Sequence, residues 1–118
     1  MESKKKKVAT YLRTGTNAQG LIFNIELELK ELLKEMEEQW EVVDSAFDYG
    51  RSGSDLKRPG LQHILEVCDK KEIDMLVTLK PAMLSRNTLT FMQILEKLKQ
   101  NEIELYLHHI PNKNIPTR

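Results

Sequence analysis

Short β-type runs and longer helical patterns of apolar residues alternate along this chain. Runs rich in β-branched and other apolar residues predict strands at residues 7–12, 40–48, 74–79 and 102–109. The run at 74–79 is the most apolar of them, which is typical of a strand that is buried on both faces. We therefore expect this strand to lie in the centre of a sheet.

Between these runs, apolar residues recur at the spacing of one helix face. The first helix is predicted to begin near Asn24, whose side chain is a good N-cap. The second begins at Pro59, with Arg58 as its N-cap, and the third covers about residues 88–100. The positions predicted to face the core are Ile25, Leu29, Leu32, Leu33, Met36, Trp40, Leu61, Ile64, Leu65, Cys68, Phe91, Ile94, Leu95 and Leu98.

Strands and helices in strict alternation predict an α/β fold. We expect three layers, with helices flanking a mainly parallel sheet of four to five strands. The length of 118 residues suits one domain. Its folded part is predicted at residues 7–108, between a basic flexible tail at 1–6 and a loose tail with two prolines at 109–118.

The net charge of the chain bears on its binding to DNA, and its cysteine content bears on its cellular compartment. The 18 basic and 18 acidic side chains cancel, which weakens the case for strong DNA binding by this domain alone. The lysines at 4–7 either add a local phosphate contact or form a solvated tail. One cysteine, Cys68, forms no internal disulfide, which suits a reducing cytoplasm. No apolar run approaches the ~18–20 residues of a membrane span.

The loops after the predicted strands carry the candidate chemistry. In open α/β sheets, ligands bind beyond the carboxyl ends of the strands. Arginine matches phosphate geometry and stays charged, so loop arginines there indicate an anion site, although solvated arginines are the plainer interpretation. The arginines are Arg13, Arg51, Arg58 and Arg86, and the nearby hydroxyls are Thr14, Thr16, Ser52, Ser54 and Ser85.

Metal and cofactor sites are not indicated. The chain has no phosphate-binding glycine loop and no dinucleotide fingerprint, so no cofactor is predicted. His63, His108 and His109 lack the spacing of a zinc site, and no metal is predicted.

Four segments, in order, resemble the N-terminal catalytic domain of the serine recombinases, the family of resolvases, invertases and large serine integrases. "YLRTGTNAQ" is similar to the family's Tyr-x-Arg-x-Ser-Thr segment followed by a glutamine. "DYGRSGSDLKRPGLQHIL" is similar to its Asp-x-Gly-x-Ser-Gly-x-x-x-x-Arg-Pro-x-Leu stretch. "IDMLVTL" occupies the place of its apolar strand, and "KPAMLSRN" is similar to Asp-Arg-Leu-Ser-Arg-Asn.

The resemblance implies a known chemistry. In the family, a serine hydroxyl attacks a DNA phosphodiester and forms a phosphoserine link, while arginines bind the phosphate. The residues that match the family's functional positions are Tyr11, Arg13, Gln19, Asp48, Ser52, Arg58 and Arg86. Among these, the resemblance implies phosphate or DNA binding by Arg13, Ser52, Arg58 and Arg86.

Two departures from the family's pattern predict loss of cleavage. The nucleophilic serine falls on Gly15, which has no side chain, and the Asp-Arg pair falls on Ala82 and Met83. Removing a nucleophile alone costs many orders of magnitude in rate.

Three hypotheses follow from these departures. The chain is an inactive recombinase domain, either a remnant of a mobile element or a regulator that pairs with an active recombinase, as a heteromer or a homodimer. Alternatively, it is a binding module whose arginines still hold phosphate or DNA. The third hypothesis is an enzyme with displaced chemistry, using Thr16 or Ser52.

Overall fold

A computed structural model describes residues 4–50 and 58–115 of the chain. Its strands are β1 (Lys6–Thr14), β2 (Trp40–Tyr49), β3 (Met75–Thr78), β4 (Glu104–Leu107) and β5 (Asn114–Ile115). Its helices are α1 (Gln19–Glu35), α2 (Pro59–Asp69), α3 (Pro81–Leu84) and α4 (Thr88–Gln100). The predicted α/β class is confirmed.

The strands form one sheet in the order β2-β1-β3-β4-β5. All pairs are parallel except β4 with β5, which is antiparallel. The most apolar strand, β3, lies at the centre with all four residues buried, as predicted. Because parallel strands end at the same edge, the loops after β1 and β3 are brought together there.

Alternate residues of β1 point to opposite faces of the sheet and so separate two parts of the core. Ala9 and Tyr11 pack with apolar side chains of α2 and α4. Val8 packs with Leu32 of α1 on the other face. The helices therefore flank the sheet as the three-layer prediction requires, with one long helix on one face and two on the other.

The start of α1 was predicted wrongly. The helix begins at Gln19, after Ala18, rather than at Asn24, and no side chain caps it. Instead, the preceding turn is closed locally, since the Ala18 amide donates to Thr16 Oγ1 at 3.1 Å. The chain therefore enters α1 from a turn closed by the Thr16 hydroxyl, without a side-chain cap.

Both predicted tails take part in the sheet. β1 begins at Lys6, whose Nζ lies 2.6 Å from Glu104 Oε1 on β4. The loose tail predicted from residue 109 onward contains β5, which pairs with Leu105 and Tyr106. A two-residue strand has no periodicity of its own, so only its pairing with β4 reveals it.

The interior contains the chain's single cysteine. Cys68 on α2 has no exposed surface, which confirms its prediction as a small buried hydrophobe. Burial is the main cause that raises the pKa of its thiol to about 12. Among residues 4–50 and 58–115, no helix is long and apolar enough to cross a membrane.

Candidate functional site

A cleft of about 380 Å³ opens at the carboxyl ends of β1 and β3, between the start of α1 and the short helix α3. This is the position at which open parallel sheets bind ligands. Its lining combines three cationic side chains, two hydroxyls, a glycine and an apolar flank: Arg13, Lys80, Arg86, Thr14, Thr16, Gly15, Leu21, Ile25 and Met83.

Arg13 is the buried cation of the cleft. Its side chain is 4% exposed, and Nη2 donates to the Ala82 carbonyl at 3.1 Å. Burial lowers the pKa of Arg13, and the positive charges of Arg58 and Arg86 lower it further. The site therefore concentrates positive charge where solvation is poor. A bound anion would offset the repulsion between these charges.

Gly15 faces the same cleft. A Cβ built on this residue would lie 3.7 Å from Arg13 Nη1, an ordinary van der Waals contact. A serine at this position would therefore fit beside the arginine. The space that a nucleophile needs is present, but the hydroxyl is not.

The two hydroxyls next to Gly15 are engaged in holding the loop. Thr14 Oγ1 donates to the Thr16 carbonyl at 2.6 Å and accepts from the Gly50 amide at 3.3 Å. Thr16 Oγ1 accepts from the Ala18 amide at 3.1 Å. Such bonds are the ordinary use of threonine in turns and connect the loop to the end of β2.

Behind the cleft, Asp48 caps a helix from another element. Its Oδ1 accepts from the Gly60 amide and its Oδ2 from the Leu61 amide, both at 2.9 Å. These are two of the amides that the first turn of α2 cannot satisfy within the helix. Asp48 Oδ2 also accepts from the Tyr11 hydroxyl at 2.7 Å. Burial, followed by this hydrogen bond, raises the pKa of Tyr11.

Arg58 completes the same buried network from the other side. It has no exposed surface, and its Nη1 donates to the Tyr11 hydroxyl at 3.0 Å and to the Met83 carbonyl at 2.9 Å. Its Nη2 donates to the Leu84 carbonyl. The Pro81 carbonyl accepts from the Ser85 amide, and Arg13 and Arg58 bind the three remaining carbonyls of α3.

The two positions that depart from the family's Asp-Arg pair both lie on α3. Met83 is 1% exposed and packs with Leu12, Ile25 and Leu79. Its side chain gives the cleft an apolar flank, and the adjacent Ala82 contributes only a carbonyl to Arg13.

The residues proposed from sequence thus separate into two groups. Arg13, Gly15 and Arg86 line the cleft, whereas Tyr11, Asp48 and Arg58 lie behind it as a hydrogen-bonded network. Gln19 opens α1, is exposed, and does not contribute to the lining formed by the described residues. Arg51, Ser52 and Ser54 lie outside the described residues. Ser85 is 5% exposed and bonds the backbone of Asn87.

Lys80 is the cationic lining residue that the sequence interpretation missed. It lies two positions after the end of β3 and occupies the N-cap position of α3, with its side chain exposed at the cleft. The signal was present in "LKPAM", where a lysine precedes the proline that starts α3 at the end of the central strand. A four-residue helix is too short for a periodic pattern to reveal it.

Comparison with known proteins places the chain in a family. The profile described as resolvase, N-terminal domain, matches residues 8–117. No curated protein matches the chain.

Solved structures agree with the family match. The N-terminal catalytic domain of TP901-1 integrase is 28% identical with a TM-score of 0.77, over 87% of this chain and 78% of that one. A serine recombinase from Sulfolobus solfataricus is 25% identical with a TM-score of 0.70, over 93% and 72% of the two chains. A resolvase family site-specific recombinase from Streptococcus pneumoniae shares the fold at 20% identity, with a TM-score of 0.72 over 87% and 72%.

Proposed function

Since this chain belongs to the resolvase N-terminal domain family, the catalytic domain of serine recombinases, we propose that it has lost DNA cleavage and keeps a phosphate-binding cleft. In this proposal the domain contacts the DNA backbone weakly and acts in site-specific recombination together with an active recombinase. The observation that carries the proposal is Gly15, which lies beside Arg13 in a cleft that is otherwise built for an anion.

The loss of cleavage is supported by the surroundings of Gly15. The covalent step of the family needs a hydroxyl that is available to attack phosphorus. Thr14 is 5% exposed and its hydroxyl is already donated to the Thr16 carbonyl. Thr16 Oγ1 accepts from the Ala18 amide and helps to start α1. Both hydroxyls therefore serve the loop, which argues against displaced chemistry at Thr16.

The retained binding is supported by the charges in the cleft. Arg13 comes from β1, Lys80 and Arg86 flank α3 after β3, and all three line one volume. Because the net charge of the chain is zero, we expect this contact to be weak and sensitive to salt.

The test compares an exposed cation inside the cleft with an exposed cation outside it. Arg86→Ala removes a cleft cation from an exposed side chain, and Lys34→Ala removes one from the exposed outer part of α1. In a titration of a short DNA duplex at low salt, Arg86→Ala is expected to weaken binding roughly tenfold, while Lys34→Ala leaves it nearly unchanged. Equal losses in the two variants would show that binding is diffuse and would remove the basis for the cleft.

Cleavage is tested separately with supercoiled plasmid. We expect no nicked product and no covalent protein–DNA adduct from the wild-type chain after denaturation. An adduct would overturn the proposed loss of activity, and peptide mapping of the adduct would identify the nucleophile.

A role in pairing is favoured by apolar side chains on the surface. Phe23 on α1 is 64% exposed, Phe47 on β2 is 59% exposed, and Leu89 on α4 is 76% exposed. Exposed apolar groups of this size mark a contact surface where they form one contiguous patch. Sedimentation of the chain alone and mixed with an active serine recombinase distinguishes a homodimer, a heteromer and a monomer.

A further inference from the structure

We infer that the cleft selects a terminal phosphate, which is a phosphate monoester, over the internal phosphodiesters of DNA, and that Lys80 provides this selectivity. The inference rests on the proposed function, because it concerns the ligand of the same cleft. Three features of the lining carry it: its charge, its apolar flank and the position of Lys80.

The charge of the lining suits a dianion. Arg13, Lys80 and Arg86 contribute three positive charges, and no aspartate or glutamate is among the described residues that line the cleft. The position at which the family's pattern has a carboxylate is Ala82. A monoester carries a charge of about −1.5 to −2 near neutral pH, whereas a diester carries about −1. Coulomb attraction to the same three cations is therefore stronger for the monoester.

The shape of the lining suits a chain end. An internal phosphodiester continues into a sugar on both sides, so a site for it needs two polar or solvated exits. Here Leu21 and Ile25 of α1 and Met83 of α3 make part of the lining apolar, and they offer no hydrogen bond to a second sugar. Gly15 leaves open space beside Arg13, where a compact phosphate group can approach.

Lys80 supplies a cation where the family's pattern no longer does. The arginine of the Asp-Arg pair falls on Met83, whose side chain is packed among Leu12 and Leu79. Lys80 lies three positions earlier and faces the same cleft from the end of β3. Lysine is a compact charge with three donors on a flexible stem, which suits the several equivalent oxygens of a monoester.

The decisive experiment uses one single-stranded oligonucleotide of about 12 nucleotides in two forms. One form carries a 5′-phosphate and the other a 5′-hydroxyl, so their internal phosphodiesters are identical. Both are titrated against the wild type, Lys80→Met and the matched control Lys34→Met. We expect the wild type and the control to prefer the phosphorylated form roughly tenfold, and Lys80→Met to lose that preference. Thermal melts of the variants establish that each is folded.

The outcomes separate this inference from the proposed function. Equal binding of both oligonucleotides by the wild type overturns the selectivity and leaves phosphate binding in place. No binding of either form by folded protein overturns both. A preference that survives in Lys80→Met overturns the role of Lys80.

Two further measurements sharpen a positive result. A nucleoside 5′-monophosphate tests the source of the ligand: binding as tight as that of the oligonucleotide indicates a free nucleotide, and weaker binding indicates a DNA end. A repeat at pH 5 tests the charge, because the second ionisation of a phosphate monoester has a pKa of about 6. The described lining contains no histidine or carboxylate, so the preference should shrink through the ligand alone. An unchanged preference at pH 5 would contradict the charge argument.

Discussion

Two groups of polar residues meet at the carboxyl edge of the sheet. They differ in whether their polar atoms have partners within the protein or are exposed. Behind the cleft, Tyr11, Asp48 and Arg58 bond one another and the backbone of α2 and α3. In the cleft, Lys80 and Arg86 are exposed and face an open volume. The polar atoms of the first group are satisfied by the protein itself, whereas the two cations of the second group are exposed and accessible to a ligand.

The departures from the family's pattern follow this division. Gly15 and Met83 line the cleft, and Ala82 lies beside it, whereas the three buried residues match the pattern. A change in the buried group leaves polar atoms without partners in the interior, which costs stability. A change at Gly15, where an added Cβ meets only an ordinary contact, should cost little stability. The domain can therefore lose its reaction without losing its fold, and three variants test that separation.

The largest expected effect is that of Asp48→Ala. The substitution removes the acceptor of the Gly60 and Leu61 amides and of the Tyr11 hydroxyl, and leaves Arg58 buried with less compensation. We expect a loss of about 3 kcal/mol in the free energy of unfolding, measured with urea. The control is Asp44→Ala, which removes a partly exposed partner of His63 and is expected to cost less than about 1 kcal/mol. Equal losses would mean that the buried network does not hold α2 in place.

A somewhat smaller effect is expected for Gly60→Ala. A Cβ at Gly60 would lie 2.5 Å from the Phe47 carbonyl oxygen and 2.9 Å from Asp48 Oδ2, so α2 would have to move away from β2. We expect destabilisation of about 2 kcal/mol by thermal or urea unfolding. Gly20→Ala is the matched change in a helix where nothing lies within 4 Å, and it is expected to stabilise by up to about 1 kcal/mol. A neutral Gly60→Ala would show that the capped end of α2 is loosely held.

The smallest effect on stability is expected for Gly15→Ser. The added Cβ makes only an ordinary contact with Arg13, so the free energy of unfolding should change by less than about 0.5 kcal/mol. The variant restores a hydroxyl but not the Asp-Arg pair, and we expect no covalent DNA adduct on a denaturing gel. An adduct would show that Ala82 and Met83 do not prevent the covalent step, and that Gly15 alone accounts for the proposed loss of cleavage.

The sequence predicted those elements whose signals are local. Asn87 caps α4 by accepting from the Thr90 amide at 3.1 Å, and the helix covers the predicted 88–100. Pro59 opens α2 after Arg58, also as predicted. Apolar runs indicated β1, β3 and β4 because burial on both faces of a sheet imposes that composition, whereas β2 lies at the edge and is largely exposed.

What could not be predicted depends on contacts between distant segments. Arginine is seldom buried, so nothing in the loop sequence indicated that Arg58 would have no exposed surface. Its burial depends on α3, which lies more than twenty positions away along the chain, as the bond to the Met83 carbonyl shows. The start of α1 was missed for a related reason, since the turn at Thr16 is fastened to Gly50 through Thr14.

The buried position of Cys68 makes its thiol a natural probe of local unfolding around α2. As the only cysteine of the chain, it lies between α2 and the sheet with no exposed surface, and burial raises its thiol pKa to about 12. A thiol reagent can modify it only after α2 separates from its neighbours. The rate of labelling therefore measures how often this helix detaches in the native state, without any added probe. Asp48 binds two amides in the first turn of the same helix. A weaker buried network should therefore increase the rate of labelling.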